Sequence, residues 1–428
     1  MLFNSLLFES TGLQEAQLVA LCARYSDRGA LQHWTTSRRG FRPSRSPIGY
    51  LFVSGERSHP WRSDFIPKPT SKEWPVILFP CPDSRVHNIG LAAGPLQNKG
   101  RHLTSDMRMF KKVLPAAAVV IVACAALVVY LVRGGFHEFA ATPYPLPPAA
   151  FTNWDDVLSH PRNISLATFR TGVVHMDACL NLDPDSPKQA DCDHAPRDLA
   201  VLVHWIHHPR FGDFLIDAGF DDSFAKHPPY GSYTEAMKLF NWGNGVSNRQ
   251  KPGEDLAAQL ARRNIHPKGV FFTHLHPDHT GGVLGLPPDT ELIFGRTEAG
   301  FLARAAVANH FAGKTKFLGI DFPAAPALAP LGPSVDLFGD GSFWAISVPG
   351  HTDDDMAFLI NGNTPTLLTG DASHFAWAFQ AGVGPRGWDK AGTARGYKSL
   401  EQLRAFAKAH PGVTVIYGHE LVHRLLPS

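Results

Sequence analysis

The 428-residue sequence contains only five cysteines, which excludes a small scaffold held together by many disulfides. Its formal net charge is only +2, so no overall field favours nucleic acid or an acidic surface as a partner. Charged residues make up 18% of the chain and hydrophobic residues 44%, which excludes a disordered or fibrous protein and allows a sizeable core. At about 150 residues per domain, the length predicts two to three domains.

The small net charge conceals two segments of opposite sign. Residues 1–106 carry 13 Lys and Arg against 8 Asp and Glu, whereas residues 107–428 carry 27 against 30. The first segment is rich in Ser, Arg and Pro and has no sustained helical or strand periodicity. We therefore expect residues 1–106 to be a disordered extension or a non-native one, with the native product beginning near Met107 or Met109.

Residues 107–133 contain one apolar run, at 113–132, that is twenty residues long and has no charge. A helix of that length spans about 30 Å, the thickness of a bilayer core. Three basic residues precede the run and one, Arg133, follows it, which directs the rest of the chain away from the cytoplasm. We predict a single transmembrane helix that anchors a periplasmic or extracytoplasmic domain; a buried core helix and a cleaved signal peptide are the alternatives.

The chain after the anchor divides into a Pro-rich linker, residues 134–150, and a globular domain, residues 151–428. In the domain, predicted strands such as Leu199–Ile206 and Asp213–Ile216 alternate with predicted helices such as Glu254–Asn264, a pattern typical of α/β layers. Cys179 and Cys192 are compatible with a disulfide outside the cytoplasm and equally with two free thiols.

A dense cluster of metal-ligand side chains follows the predicted strand Gly269–Thr273. It reads His-Leu-His-Pro-Asp-His from His274 to His279 and ends in two glycines. Side chains alternate along an extended segment, so His274 and His276 point to the same side. Imidazole and carboxylate together suit Zn²⁺, with iron or manganese as alternatives.

Further ligand types follow other predicted strands, three of them directly after a glycine. They are His351 after Val-Pro-Gly, Asp371 after Leu-Thr-Gly and His419 after Ile-Tyr-Gly, and Asp217 follows Leu-Ile in the same way before Ala-Gly. A ligand placed directly after a strand is held on a rigid edge of the sheet. These positions and the first cluster predict a metal centre.

This ordered set of motifs resembles the metallo-β-lactamase-fold hydrolase superfamily, and within it the N-acyl homoserine lactonase-like group. The resemblance implies an αββα sandwich over residues 165–425, with two divalent metal ions at the strand ends. It implies that one ion is bound by His274, His276 and His351, and the other by Asp278, His279 and His419. Asp371 would bridge the two ions, and Asp217 would orient a ligand rather than bind metal.

The resemblance also implies the reaction, in which a hydroxide shared by the two ions attacks the carbonyl of a lactone or ester. Asp278 is a candidate catalytic residue. So is His374, because it stands where lactonases of this group have a tyrosine that contacts the substrate carbonyl; the alternative is a histidine on a surface loop. We expect a small-molecule lactone or ester as substrate and no nucleic acid as partner. A glyoxalase II-type thioesterase and a membrane-anchored metal-binding pseudoenzyme are the alternative functions.

Two aromatic segments give a faint indication of the substrate. The expectation is that they overhang the metal end and form an apolar acyl pocket, with packing within the loops as the alternative. The residues are Phe220, Phe224, Tyr230, Tyr233, Met237, Phe240 and Trp242 in the first segment, and Phe375, Trp377 and Phe379 in the second. The run Asp353–Asp355 after His351 is predicted to be a solvated turn.

Overall fold

The computed structural model describes residues 118–130, 140–148, 150–300 and 305–420, and the elements named below lie within them. The helices are α1 (118–130), α2 (Trp154–Ser159), α3 (Ser223–Lys226), α4 (Glu235–Gly243), α5 (Leu256–Arg263), α6 (Pro277–Thr280), α7 (Ala376–Ala381) and α8 (Lys390–Ala409). The strands are β1 (Thr142–Pro143), β2 (Ser165–Met176), β3 (Arg197–His208), β4 (Gly212–Ile216), β5 (Ser247–Arg249), β6 (Gly269–Phe271), β7 (Glu291–Gly295), β8 (Lys316–Ile320), β9 (Ser334–Asp336), β10 (Phe343–Ser347), β11 (Met356–Ile360), β12 (Thr366–Leu368) and β13 (Thr414–Ile416).

The region of the predicted anchor is described only in part. Residues 118–130 are helical, whereas residues 113–117 and 131–132 lie outside the described residues, as do the whole extension 1–106 and residues 134–139 of the linker. In the described part of the chain, no helix combines the length and the apolar character needed to cross a bilayer.

The domain is built on two sheets. The larger has the strand order β1-β8-β7-β6-β4-β3-β2-β5 and the smaller the order β13-β12-β11-β10-β9. Strands β4, β6, β7 and β8 run parallel, and the two in the middle, β6 and β7, are apolar along almost their whole length. Such unbroken apolar strands are covered on both faces, which predicts a layer on each side of the sheet.

The hydrophobic side chains show these layers. One core lies between the sheets, where Phe271 and Ile293 of the larger sheet meet Phe343 and Phe358 of the smaller. A second core lies on the outer face of the larger sheet under α5, and a third on the outer face of the smaller sheet under α2 and α8. The order of layers is therefore helix, sheet, sheet, helix.

The local sequence accounts for the helix that covers the larger sheet. The Asp255 side chain accepts a hydrogen bond from the Ala258 N–H at 2.9 Å and so caps the first turn of α5. Asn264 takes a left-handed conformation, φ 53°, and ends the helix. The predicted helix Glu254–Asn264 agrees with α5 apart from the residues that cap it.

Several elements of the structure were not predicted from the sequence. They are β2, which is twelve residues long, the interior strand β8, and the short edge strands β1, β5 and β9. Strand β1 lies in the segment assigned to the linker: Thr142 pairs with Leu318, and the Tyr144 ring packs against Phe271 with 5.8 Å between ring centroids. The ordered chain next to the domain thus begins before residue 151. Cys179 and Cys192 form a disulfide, which decides between the two alternatives.

Candidate metal centre

The predicted ligand residues, together with Asp217, which was predicted to orient one of them, come from five separate strand ends. Asp217 follows β4, His274 follows β6, His351 follows β10, Asp371 follows β12 and His419 follows β13. Residues 274–276 continue beyond β6 as extended chain, and α6 then begins at Pro277, whose ring suits the first position of a helix. All the strands involved present their carboxyl ends to one edge of the sandwich, where these side chains meet.

One group of donors consists of His274, His276 and His351 with Asp371. The Nδ1 atom of His276 lies 2.8 Å from Nε2 of His274 and 2.9 Å from Nε2 of His351. Oδ2 of Asp371 lies 3.8 Å from the His274 nitrogen and 3.5 Å from the His351 nitrogen. Three imidazole nitrogens and one carboxylate oxygen therefore face a common point.

A second group consists of Asp278, His279 and His419. Oδ2 of Asp278 lies 3.8 Å from Nε2 of His279 and 3.6 Å from Nε2 of His419. Those two nitrogens lie 3.7 and 3.2 Å from Oδ2 of Asp371. The same oxygen atom of Asp371 thus borders both groups, so the two groups are adjacent and share this carboxylate.

Hydrogen bonds on the outer nitrogens turn the inner nitrogens of three histidines toward the centre. Nδ1 of His279 donates to Oδ2 of Asp217 at 2.8 Å, and Nδ1 of His419 donates to the carbonyl oxygen of Ala200 at 2.9 Å. The Thr273 hydroxyl donates to Asp217 at 2.9 Å and accepts from Nδ1 of His274 at 3.0 Å. In each ring the outer nitrogen carries a proton, so Nε2 is the nitrogen that faces the centre and is left to bind a cation.

Asp217 holds this position with an unusual backbone conformation. Its φ is +60°, a left-handed conformation that residues other than glycine rarely adopt. Its carboxylate also accepts the backbone N–H of Thr273 at 2.8 Å. Backbone strain of this kind persists where the surrounding structure enforces it, which is common at functional sites.

Gly418 allows the last strand to approach the shared carboxylate closely. A Cβ atom at this position would lie only 2.2 Å from Oδ1 of Asp371. Only glycine therefore leaves room for Asp371 beside the turn that carries His419.

The protonation of the histidines differs between the two groups. Burial lowers the pKa of His276 to about 4, and burial lowers the pKa of His274 and His351 well below the ordinary value, so these rings are neutral at pH 7. Burial also lowers the pKa of His279, but the carboxylates of Asp217, Asp278 and Asp371 outweigh it and leave that pKa well above the ordinary value. The first group offers lone pairs at once, whereas the second must release a proton when a cation binds.

The donor set fits divalent cations. Nε2 of His279 and Oδ1 of Asp371 are buried and have no hydrogen-bond partner among the described residues. Leaving such groups buried without a partner is costly, and imidazole with carboxylate is the donor chemistry of zinc sites. A third group, Asp177, Cys179 and His194, does not compete, because the sulfur of Cys179 is in the disulfide.

The prediction of a solvated turn at Asp353–Asp355 was wrong for two of its three residues. Asp354 and Asp355 are buried, and Oδ1 of Asp355 lies 3.6 Å from Nδ1 of His274. Burial raises the pKa of the Asp355 carboxyl well above its ordinary value. The sequence signal that was overlooked is the short separation between His351 and the start of β11 at Met356. A chain that returns to a strand within so few residues must stay close to the centre.

The alternative that His374 lies on a surface loop is wrong as well. The residue is 1% exposed, and Nε2 lies 3.2 Å from Oδ2 of Asp371. Its ring lies 5.0 Å from the ring of His351 and 5.7 Å from that of His419, centroid to centroid. His374 is therefore part of the cluster.

The predicted aromatic pocket has a different composition in the structure. Phe220, Phe224 and Tyr233 are buried against one another, with ring centroids 3.9 Å apart in the first pair and 5.0 Å in the second. For these three the alternative of packing within the loops holds. Phe375 of the second segment is buried, with its ring 6.5 Å from that of His374. Trp388, which was not predicted, is 67% exposed, and its ring lies 6.4 Å from that of His276.

Comparison with known proteins agrees with this arrangement. The family model of the metallo-beta-lactamase superfamily matches residues 200–419, which include both groups of donors and Asp217. The chain belongs to the metallo-beta-lactamase superfamily. The prediction of the family is thereby confirmed, and with it the prediction of a hydrolytic enzyme of metallo-β-lactamase type.

Individual relatives include lactonases and a hydroxyacylglutathione hydrolase. The N-acyl homoserine lactonase AttM of Agrobacterium fabrum is 31% identical over 236 residues, which are 53% of this chain and 84% of the relative. A hydroxyacylglutathione hydrolase of Xanthomonas axonopodis pv. citri is 31% identical over 172 residues, 39% of this chain and 52% of the relative. A solved structure of a quorum-quenching N-acyl homoserine lactone hydrolase has a TM-score of 0.47 and 18% identity, and the match covers 63% of this chain and 99% of that one.

Proposed function

We propose that this chain is a binuclear metal-dependent hydrolase that opens a lactone or ester whose substituent is an acyl chain, in the manner of N-acyl homoserine lactones. The observation that carries the proposal is the meeting of two donor groups at one oxygen, Oδ2 of Asp371. The similarity to a relative named as an N-acyl homoserine lactonase supports the choice of substrate.

The proposal assigns each donor group to one divalent ion. His274, His276 and His351 would hold the first ion, Asp278, His279 and His419 the second, and Asp371 would contact both. Zn²⁺ suits these donors best. Two bound ions would supply a water molecule of lowered pKa as nucleophile and an electron-withdrawing partner for the substrate carbonyl.

The protein's own contribution is orientation and proton handling. Asp217 and the Ala200 carbonyl hold His279 and His419 with Nε2 turned inward. Asp278 is the most accessible of the carboxylates at the centre, with 18% of its side chain exposed, whereas Asp371 is buried. The Asp278 carboxylate is therefore placed to take up the proton of the attacking water and return it to the leaving alkoxide.

The exposed side chain of Trp388, called here the apolar wall, supports the choice of an acyl-bearing substrate. The Trp388 side chain is exposed, yet the backbone around it is fixed: Arg386 N–H donates to the Asn181 carbonyl at 2.8 Å, and Asp389 caps α8. An exposed indole contributes little to stability, so its position beside His276 favours a role in contact with a ligand.

The proposal is tested with the full chain, its metal content measured, on N-acyl homoserine lactones of increasing acyl length and on S-lactoylglutathione. We expect turnover of the lactones, faster with longer acyl chains, and two metal ions per chain. The similarity to a hydroxyacylglutathione hydrolase makes a glyoxalase II-type thioesterase the second candidate, which turnover of S-lactoylglutathione alone would favour. A chain that binds two ions and hydrolyses neither class would be the metal-binding pseudoenzyme.

We further propose that the domain works outside the cytoplasm, attached to the membrane through residues 113–132. The uncharged run and its basic flank support this, and so does the Cys179–Cys192 disulfide, because disulfides persist in oxidising compartments. Fractionation of cells that express the chain, with protease added from outside, tests the location. Protection of the domain in intact spheroplasts would contradict it.

A further inference from the structure

His374 has the environment of a ligand. Its backbone is fixed next to a predicted ligand, because the His374 carbonyl accepts the N–H of His419 at 2.9 Å and the neighbouring Ser373 carbonyl accepts the N–H of Gly418 at 3.1 Å. The side chain has little freedom, since it is almost completely buried between His351 and His419. Its position is thus as well determined as those of the residues around it.

The inner nitrogen of His374 is as close to the shared carboxylate as that of an assigned donor. Both Nε2 of His374 and Nε2 of His419 lie 3.2 Å from Oδ2 of Asp371, closer than the nitrogens of His351 and His279. The rings of His374 and His419 are nearly parallel, with 17° between their planes. The two imidazoles approach the same oxygen side by side.

Neither ring nitrogen of His374 makes a hydrogen bond to the described residues, and the 3.2 Å approach of Nε2 to Oδ2 of Asp371 is a charge contact without hydrogen-bond geometry. Other buried histidines do make a hydrogen bond: Nδ1 of His204 bonds the Thr168 hydroxyl at 2.8 Å and Nε2 of His208 bonds Asp340 at 3.0 Å. A buried imidazole without a partner costs free energy that a bound cation would recover. The unsatisfied nitrogens therefore indicate a ligand of this ring that is not protein.

We propose that Nε2 of His374 binds a metal ion directly, so that the centre has an eighth protein donor and a sixth histidine. The inference rests on the proposed function, which gives His374 no metal. The competing role, a hydrogen bond to the substrate carbonyl, requires access from the solvent. Asp278 has that access, whereas His374, at 1% exposure, does not.

The first test uses metal alone and no substrate. In the chain loaded with Co²⁺, a histidine bound to the ion shows large contact shifts in its ring proton signals, which require a metal–nitrogen bond. We expect six such rings in the unmutated chain, and five would overturn the inference. This count does not depend on a variant that folds.

The second test compares His374→Phe with His208→Phe in a Zn²⁺ competition titration against a chromophoric chelator. His208 is the matched control because it is also buried but lies far from the centre. Ala200, whose carbonyl bonds His419, marks the centre on β3, and His208 lies eight residues or about 26 Å further along that strand. His374→Phe should lower the affinity for one of the two ions by at least about tenfold, because loss of a ligand's hydrogen-bond partner alone costs that much. His208→Phe should change the affinity for neither ion.

Equal affinity for both ions in His374→Phe and the unmutated chain would overturn the inference and leave the proposed function intact. Failure of the unmutated chain to bind two ions would instead overturn the proposed function.

Discussion

The buried histidines of the described residues fall into two sets. His204, His208 and His310 each have a partner of their own, such as the Thr280 hydroxyl that lies 2.9 Å from Nδ1 of His310. At the metal centre, by contrast, five imidazole nitrogens lie within 3.8 Å of a single oxygen, Oδ2 of Asp371; they belong to His274, His279, His351, His374 and His419. One oxygen cannot satisfy five inner nitrogens, which supports the proposal that this set binds cations, whereas the first set serves the fold.

Removal of a donor from the second set should have the largest effect. In His351→Ala or Asp278→Ala the affected ion loses a ligand, so we expect most of one ion to be lost and kcat/KM to fall by at least about 100-fold. Metal analysis together with lactone hydrolysis measures both effects. His208→Phe is the control from the first set and should keep two ions and its activity; full turnover with two ions in Asp278→Ala would refute the assignment.

Loss of the residue that orients a ligand should have a smaller effect. In Asp217→Ala, Nδ1 of His279 loses its acceptor, so affinity for the second ion should fall by about 10- to 100-fold. Asp217→Asn distinguishes the effect of the carboxylate charge from that of the backbone conformation, because asparagine is uncharged but also tolerates a positive φ. We expect Asn to keep the fold but to recover only part of the affinity, as measured by chelator competition; an Ala variant with normal affinity would show that Asp217 serves the fold alone.

Among the described residues, two exposed tryptophans provide a second comparison. Trp388 lies beside His276, whereas Trp242, 72% exposed, lies at the end of α4. Trp388→Ala should raise KM for a long-chain acyl lactone about tenfold and KM for a short-chain lactone less, because only the long chain covers the indole. Trp242→Ala should change neither KM; equal effects of the two substitutions would remove the proposed wall.

The metal centre was more predictable from the sequence than its surroundings. His274, His351 and His419 each come shortly after an apolar strand, and the carboxyl ends of strands in such a sandwich meet at one edge, so the positions of these three residues follow from local patterns. Burial of Asp355 and His374 does not, because polar residues after a motif are ordinarily exposed and only the return path of the chain encloses these two.

The first aromatic segment failed as a guide for a related reason. Composition indicates that aromatic side chains are near the site, but it does not tell a ring that packs under a loop from a ring that faces the substrate. Phe220 and Phe224 stack on each other, whereas Trp388 stands alone in a segment with no aromatic pattern. The difference depends on loop paths that are determined by contacts distant in sequence, such as the Arg386 N–H with the Asn181 carbonyl.

The smallest effect on turnover is expected from the first set of histidines, where protonation should instead affect folding. Burial lowers the pKa of His310 to about 4, below the ordinary value of about 6.5 in an unfolded chain. Between these values the unfolded state binds more protons, so the free energy of unfolding falls as the pH is lowered. His310 alone should account for about 2 kcal/mol of loss between pH 7 and pH 5.

His310→Gln keeps polar atoms toward the Thr280 and Ser232 hydroxyls, which lie 2.9 and 3.2 Å from the two ring nitrogens, but it does not titrate. Urea unfolding of the metal-loaded chain at the two pH values should therefore show a smaller loss in the variant, by about the same 2 kcal/mol. An identical loss in both proteins would assign the acid sensitivity to the metal centre, where proton uptake by His279 competes with the cation. In that case the loss of stability in acid would come from the metal centre alone, and the two sets of histidines would not differ in the way proposed.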